Sequence, residues 1–263
     1  MEILGYVSLF FVGFVLGLIG GGGSILTVPI FVFLFGISPE VATSYSLLIV
    51  GVAASYGTFH YVKQQKVRFK TGIVFGLPSI AGVLLVRQLL LPAIPEAFTV
   101  LGVQLTKDQL IMITFAAIMI LASYSLLKGS PQEQEHGLEQ PWYHMIIIML
   151  DGLVVGGITG FVGAGGGFLI VPALMFLARL PIKEAVGTSL LIITFKSILG
   201  FLGDINSIPM DWPLLSIGSV LAMVGIFVGA KASTKVPSAS LKKGFGYFIL
   251  VMGAFIIAQE ILK

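Results

Sequence analysis

Two glycine-rich apolar segments repeat each other, and this repeat constrains the fold more than any other feature of the chain. The first reads Gly17-Leu-Ile-Gly-Gly-Gly-Gly-Ser24 and continues to Pro29, and the second reads Gly160-Phe-Val-Gly-Ala-Gly-Gly-Gly167 and continues to Pro172. The first glycines are 143 residues apart, and so are the two prolines. A Thr-Ser pair follows each segment, Thr43-Ser44 and Thr188-Ser189. A duplicated apolar unit with a broken helix at corresponding positions is typical of transporters built from repeats.

The composition indicates an integral membrane protein. Hydrophobic residues make up 57% of the chain and charged residues 10%, with a mean hydropathy of +1.05. Soluble domains carry about a quarter charged residues. The net charge of +3 comes from basic residues in short loops, which report orientation in the lipid bilayer, so we expect no nucleic-acid partner. The chain has no cysteine, which excludes disulfides and thiolate metal ligands.

The hydrophobic pattern predicts an all-α polytopic membrane protein with two repeats. The first repeat covers residues 1–128 and the second residues 142–263, and residues 129–141 form a polar connector. Each repeat contains five apolar segments, and we read the first as a retained helix and not as a signal peptide. The segments are 2–19, 24–36, 40–62, 71–90 and 108–128, then 142–161, 167–179, 182–203, 213–231 and 241–262. Segments 24–36 and 167–179 are short, and the sequence leaves open whether they span the membrane or are re-entrant.

The charges of the loops predict that the two repeats are inverted. Two loops are basic, one with Lys63, Lys66, Arg68 and Lys70, the other with Lys231, Lys235, Lys242 and Lys243. Both should be cytoplasmic by the positive-inside rule. The second-half loop equivalent to the first of these holds Asp204 and Asp211 and no basic residue, so it should be external. Equivalent loops then face opposite sides, and both termini are extracytoplasmic.

The glycine breaks are the predicted substrate site. Each glycine costs about 1 kcal/mol relative to alanine in a helix, and an unpaired backbone group in hydrocarbon costs several kcal/mol. Such a break persists where it is buried in protein or lines a cavity, and the helix that follows presents free N–H groups to an anion. The alternative is close helix packing, which we expect for Gly13, Gly152, Gly156, Gly225 and Gly229. The predicted ligands from the breaks are Gly20, Gly21, Gly22, Gly23, Ser24, Gly163, Gly165, Gly166 and Gly167.

These repeated motifs, each trailed by a Thr-Ser pair in a short-looped membrane protein of about 260 residues, resemble the TauE/SafE family of sulfite exporters. The resemblance covers both halves of the chain. It implies a multi-pass permease of the plasma (inner) membrane, with members linked to export of sulfite, sulfoacetate and related organosulfur anions. It supplies no residue roles. The two copies differ slightly, since Gly21 and Ser24 correspond to Ala164 and Gly167.

Two charged residues lie deep inside predicted spans. Lys196 is more than two turns from either end of its segment, where a lysine usually marks a substrate path or an ion pair. We expect it to contact the anion, and the alternatives are snorkelling to the interface or pairing with Asp151. Asp151 is either a proton-coupling carboxylate or that structural partner.

The remaining polar residues divide into site candidates and peripheral groups. The hydroxyls of Thr43, Ser44, Thr188 and Ser189 either bind the oxyanion or bond to carbonyls of their own helices. We expect Arg87 to be an interface anchor near a helix end and Asp204 to be a loop charge.

Together these observations predict a secondary transporter that exports a small anion such as sulfite or a sulfonate. The alternatives are an anion channel and, from another class, a membrane-embedded enzyme. The three histidines lie near loops and far from the breaks, so we expect no catalytic residue, no metal and no cofactor. Whether the chain forms a homodimer stays open.

The predicted topology can be tested with single cysteines, because the natural chain has none. Cysteines replacing Lys66 and Lys242 should be protected from an impermeant thiol reagent on intact cells, and a cysteine added at the C-terminus should react. Labelling at position 66 without labelling at the C-terminus would contradict the orientation.

Overall fold

A computed structural model describes residues 2–21, 23–100, 103–128, 142–162, 166–232 and 237–261. The first half contains α1 (Glu2–Ile19), α2 (Ser24–Leu34), α3 (Pro39–Lys63) and α4 (Phe69–Leu85). A π-helical turn at Val86–Leu90 joins α4 to α5 (Leu91–Ala93), and β1 (Ala97–Val100), β2 (Val103–Thr106) and α6 (Lys107–Leu127) follow. The second half contains α7 (Trp142–Val162), α8 (Gly167–Phe176), α9 (Ile182–Asp204), α10 (Trp212–Ala232) and α11 (Ser238–Ile261).

The all-α membrane architecture predicted from the sequence is confirmed. Within the described residues, six helical segments are long and apolar enough to cross a membrane: α3, α4 through α5, α6, α7, α9 and α10. By contrast, α2 and α8 contain 11 and 10 residues. At about 1.5 Å per residue they are roughly half as long as the hydrocarbon core is thick.

A short β-hairpin between α5 and α6 was not predicted from the sequence. Its strands pair in antiparallel register from Ala97 opposite Thr106 to Val100 opposite Val103. The hairpin leads directly into α6 through a capping box, in which Thr106 Oγ1 accepts a hydrogen bond from the Gln109 N–H and Gln109 Oε1 accepts one from the Thr106 N–H. Four-residue strands carry too little period-two pattern to stand out beside long apolar helices.

The helices of the two halves interlock. Helix α1 packs along α10, α4 along α7, α3 along α9 and α6 along α11. Helix α3 also packs on α10, and α4 on α9. Each helix has a counterpart in the other half: α1 and α7, α3 and α9, α4 and α10, α6 and α11. When counterparts are exchanged, the α1–α10 contact becomes the α4–α7 contact and the α3–α10 contact becomes the α4–α9 contact, while the α3–α9 and α6–α11 contacts are unchanged. The packing therefore has the symmetry expected of two related repeats.

Glycines allow the two principal seams to pack backbone against backbone. In the α4–α7 seam, a Cβ built on Gly156 would overlap the Ser79 carbonyl, and one on Gly82 would overlap the Leu153 carbonyl. In the α1–α10 seam, Gly13 lies against the Ala222 carbonyl in the same way. The predicted packing role of the spaced glycines is thus the role they have in these seams.

These contacts predict that Gly156→Ala strongly destabilises the protein, because the new methyl group must push two helices apart. We expect a loss of about 3 kcal/mol or more in the free energy of unfolding, measured by thermal denaturation in detergent. The matched control is Gly244→Ala in α11, where nothing lies within 4 Å of the added Cβ. Alanine is the better helix former, so this variant should be at least as stable as the natural protein.

Candidate functional site

The two glycine breaks meet in the interior. Gly20 and Gly166 adopt left-handed backbone conformations, with φ of 80° and 73°, which side chains rarely tolerate. Gly21 lies directly against Gly167, so that a Cβ built on Gly21 would be 2.7 Å from the Gly167 Cα. The convergence of the two breaks, expected from the repeat, therefore brings the start of α2 close to the start of α8.

Both of these helix starts carry uncapped N–H groups. Gly23 precedes α2 and Gly166 precedes α8, and neither residue provides a side-chain cap. The first N–H groups of a helix have no partner within it, and they carry the positive end of the helix dipole. Two positive helix ends thus lie close together in the interior, where Gly21 contacts Gly167.

Lys196 brings a basic side chain to the second break. Its side chain is completely buried, and Nζ donates a 2.8 Å hydrogen bond to Thr159 Oγ1. A Cβ built on Gly166 would lie 2.5 Å from Nζ, so the ammonium lies against the residue that begins α8. Within the described residues Lys196 makes no ion pair with Asp151, which precedes Thr159 by eight residues, about 12 Å along α7.

Lys196 is exceptional among the buried charges of the described chain. Four charged side chains there are buried: Arg87, Lys107, Lys196 and Asp204. Lys107 lies 2.7 Å from a carboxylate oxygen of Glu40, and Arg87 forms an ion pair with Asp204. Of the four, Lys196 alone has no ionic partner among the residues that the structure describes. A buried charge without a partner is costly.

The expectation that Arg87 anchors the membrane interface was wrong, because its guanidinium is buried against Gly160 near the end of α7. Its side chain is 2% exposed, pairs with Asp204, and donates from Nε to the Gly160 carbonyl at 3.1 Å. The expectation that Asp204 is a loop charge was likewise wrong, because it ends α9 and is buried. Ser44 donates to Asp204 Oδ2 and accepts from Arg87 Nη1 at 2.8 Å. An arginine in an apolar run and an aspartate closing a long span were the signals for this pair.

The hydroxyls of the Thr-Ser pairs have different surroundings. Ser189 donates to the Gly20 carbonyl at 2.8 Å, as well as to the carbonyl of Val186. Thr43 bonds only within its own helix, to the Glu40 carbonyl at 2.7 Å. The Thr188 hydroxyl accepts from the Arg68 N–H at 2.9 Å, at the start of α4. Ser189 therefore lies at the first break, while the threonine hydroxyls are engaged elsewhere.

One face of α9 contacts both glycine breaks. Ser189 and Lys196 are seven residues, or about two turns, apart and so share a face of the helix. Ser189 contacts Gly20 at the first break, and Lys196 lies against Gly166 at the second. Ser24, the first residue of α2, is fully buried and bonds back to the Gly21 carbonyl at 2.8 Å. The predicted ligands Gly22, Gly163 and Gly165 lie outside the described residues.

An ion pair also joins the other ends of α4 and α9. Arg68, just before α4, makes two hydrogen bonds to Glu184 in the first turn of α9, at 2.6 and 2.9 Å. This carboxylate raises the pKa of Arg68 through the hydrogen bonds and its charge. Helices α4 and α9 are thus tied together near both ends, here by an exposed pair and at the far end by the buried Arg87–Asp204 pair.

The buried pair predicts a strong dependence of stability on both partners. Arg87→Met should lower the free energy of unfolding by about 3–5 kcal/mol, because it leaves Asp204 buried and uncompensated. The double variant Arg87→Met with Asp204→Asn should regain much of the loss. Arg68→Met, at the exposed pair, is the control and should cost no more than about 1 kcal/mol. Equal losses from Arg87→Met and Arg68→Met in thermal denaturation would contradict this reading.

Comparison with known proteins agrees with this architecture. The chain is 27% identical to a probable membrane transporter protein of Xylella fastidiosa, over 94% of this chain and 91% of that protein. It is 27% identical to the probable membrane transporter protein YunE of Bacillus subtilis, over 100% of this chain and 98% of that protein. A third relative, YdhB of Bacillus subtilis, is 28% identical over 89% of this chain and 91% of its own length and is also described as a probable membrane transporter protein. No solved structure matches the chain significantly.

The sequence profile of the sulfite exporter TauE/SafE family matches residues 6–256, nearly the whole chain. The family match, the relatives and the candidate membrane spans all agree. The protein is therefore a membrane transporter and belongs to the TauE/SafE family.

Proposed function

We propose that the protein is a secondary transporter of a small sulfur oxyanion, such as sulfite or an organosulfonate, which binds where α2 and α8 begin. The observation that carries this proposal is the ammonium of Lys196, which is fully buried against Gly166 and has no carboxylate partner among the described residues. A substrate anion would supply the missing negative charge.

The glycine backbone suits an oxyanion in particular. Sulfite and sulfonate groups present several oxygens, and each oxygen can accept more than one hydrogen bond. The glycines carry no side chains of their own, which allows an oxyanion to approach the N–H groups of the two helix starts closely. Thr159 holds the Lys196 ammonium at this position through its 2.8 Å hydrogen bond. The printed description of the family, sulfite exporter, agrees with this chemistry.

The interlocked halves suggest which bodies move during alternating access. The two sequence halves cannot rock as rigid units, because α1 packs along α10 and α4 along α7 across them. A bundle of α1, α3 and α10 and a bundle of α7, α9 and α4 exchange with each other under the symmetry of the packing. Their shared contact runs along α3 and α9, and α9 carries Ser189 and Lys196. We expect the site to alternate between the two sides as these bundles tilt about the glycine breaks.

Export is the expected direction for a monovalent anion that moves alone. An inside-negative potential favours outward movement of an anion by about 2.3 kcal/mol per charge per 100 mV. Asp151 remains the predicted coupling group if protons take part. It lies inside the α7 span, and its Oδ2 is buried without a hydrogen-bond partner in the described part of the chain.

The proposal predicts that Lys196→Met abolishes binding and transport. The variant keeps the length and apolar character of the side chain but removes the charge that balances the anion, so we expect at least a hundredfold loss of affinity. Lys196→Arg should retain part of it. The measurement is flux of labelled sulfite and sulfonates into proteoliposomes, together with anion-dependent thermal stabilisation of the purified protein.

A lysine elsewhere on the same helix provides the control. Lys183 is exposed in the first turn of α9, so Lys183→Met should bind and transport like the natural protein. If Lys196→Met folds and transports at the natural rate, the anion does not bind at Lys196. Currents far above carrier turnover in single-channel recordings would identify a channel instead.

A further inference from the structure

We propose that the site selects a monoanion over a dianion, so that the substrate is a singly charged oxyanion of the sulfonate type. This inference rests on the proposed function and specifies the substrate of the same site. It follows from the charged groups around the second glycine break, where positive groups outnumber negative ones.

Two cations and one anion lie around this break. Lys196 bonds to Thr159, and Arg87 bonds to the carbonyl of Gly160, the next residue of α7. Both cations therefore approach α7 at the same level. Asp204 pairs with Arg87, and Glu40, whose charge also acts on Arg87, is balanced by Lys107. The described charged groups leave a net charge of +1 at the second break.

The other residues at the two breaks carry no charge. The residues between Val162 and Gly167 are glycine and alanine, so they add no charge. The first break contributes glycines, Ser24 and Ser189, which are neutral. Asp151 lies about 12 Å from Thr159 along α7, and among the described residues it forms no ion pair with Lys196 or Arg87. The helix dipoles orient a bound anion, but they carry no net charge.

A buried site discriminates by net charge because the cost of burial rises with the square of that charge. Transfer of an ion into a low-dielectric interior costs many kcal/mol by Born solvation, and pairing with an opposite charge offsets the cost. A monoanion with Lys196 gives a neutral assembly. A dianion leaves one negative charge uncompensated in the same surroundings, since Arg87 is already balanced by Asp204.

The charges of Arg87 and Asp204 therefore cancel, and the net charge of the site is that of Lys196. Arg87 Nη2 is buried and has no hydrogen-bond partner among the described residues. This donor is free to position an oxygen of the anion, while Asp204 cancels the guanidinium charge. Removing only the carboxylate would convert a site for one negative charge into a site for two.

The test uses methanesulfonate and sulfate, which have a similar tetrahedral shape and differ by one charge. We expect the natural protein to bind methanesulfonate at least about tenfold more tightly than sulfate, a difference of about 1.4 kcal/mol. Affinities come from anion-dependent thermal stabilisation in detergent, and labelled flux into proteoliposomes gives the same comparison for transport. Equal or tighter binding of sulfate would overturn the inference and leave the proposed function standing. Binding of neither anion would overturn both.

A series of variants tests the charge count itself. Asp204→Asn raises the net charge to two and should shift the preference at least about tenfold toward sulfate. The double variant Arg87→Gln with Asp204→Asn restores the original net charge, so the preference for methanesulfonate should return. If the pair had a purely structural role, the double variant would not recover the preference for methanesulfonate. If the single variant does not fold, the natural protein and the double variant decide the question. An unchanged preference in folded Asp204→Asn would overturn the inference.

Discussion

The buried ammonium of Lys196 at the start of α8 is the interaction on which the rest of the site depends. A positive charge at the positive end of a helix dipole, away from water, is unfavourable on both counts. The fold nevertheless places it there, with Thr159 fixing its position. The proposed substrate anion would supply the negative group that this position lacks among the described residues.

The glycines have two distinct roles that the structure separates. Spaced glycines such as Gly13 and Gly156 allow the helices of opposite halves to touch along their backbones. The adjacent glycines at the breaks allow the chain to turn, as at Gly20 and Gly166, and expose N–H groups to the interior. Close seams hold each cross-half bundle together, while the breaks bring the starts of α2 and α8 into contact at Gly21 and Gly167. The same residue type thus builds both rigid contacts and the polar site.

The two ends of α9 show how the fold distributes electrostatics. One end carries the exposed Arg68–Glu184 pair, which water screens and which contributes little to stability. The other end carries the buried Arg87–Asp204 pair, where loss of one partner is expensive. Lys196 lies between these ends, and no carboxylate among the described residues pairs with it. Charge is therefore balanced at both ends of the helix and unbalanced at the middle, where the substrate is proposed to bind.

The sequence by itself determined the helices, their bounds to within a few residues, the two breaks and the position of Lys196 deep inside a span. It could do so because backbone groups in hydrocarbon must be satisfied within their own helix, so apolar runs and glycines mark each element locally. Only the tertiary structure decided which charges neutralise each other. Arg87 and Asp204 lie in different halves of the chain, and no periodicity links them. Nor did the sequence show that Lys196 bonds to Thr159 and not to Asp151, because electrostatic partners are set by distances in space, which helix packing alone determines.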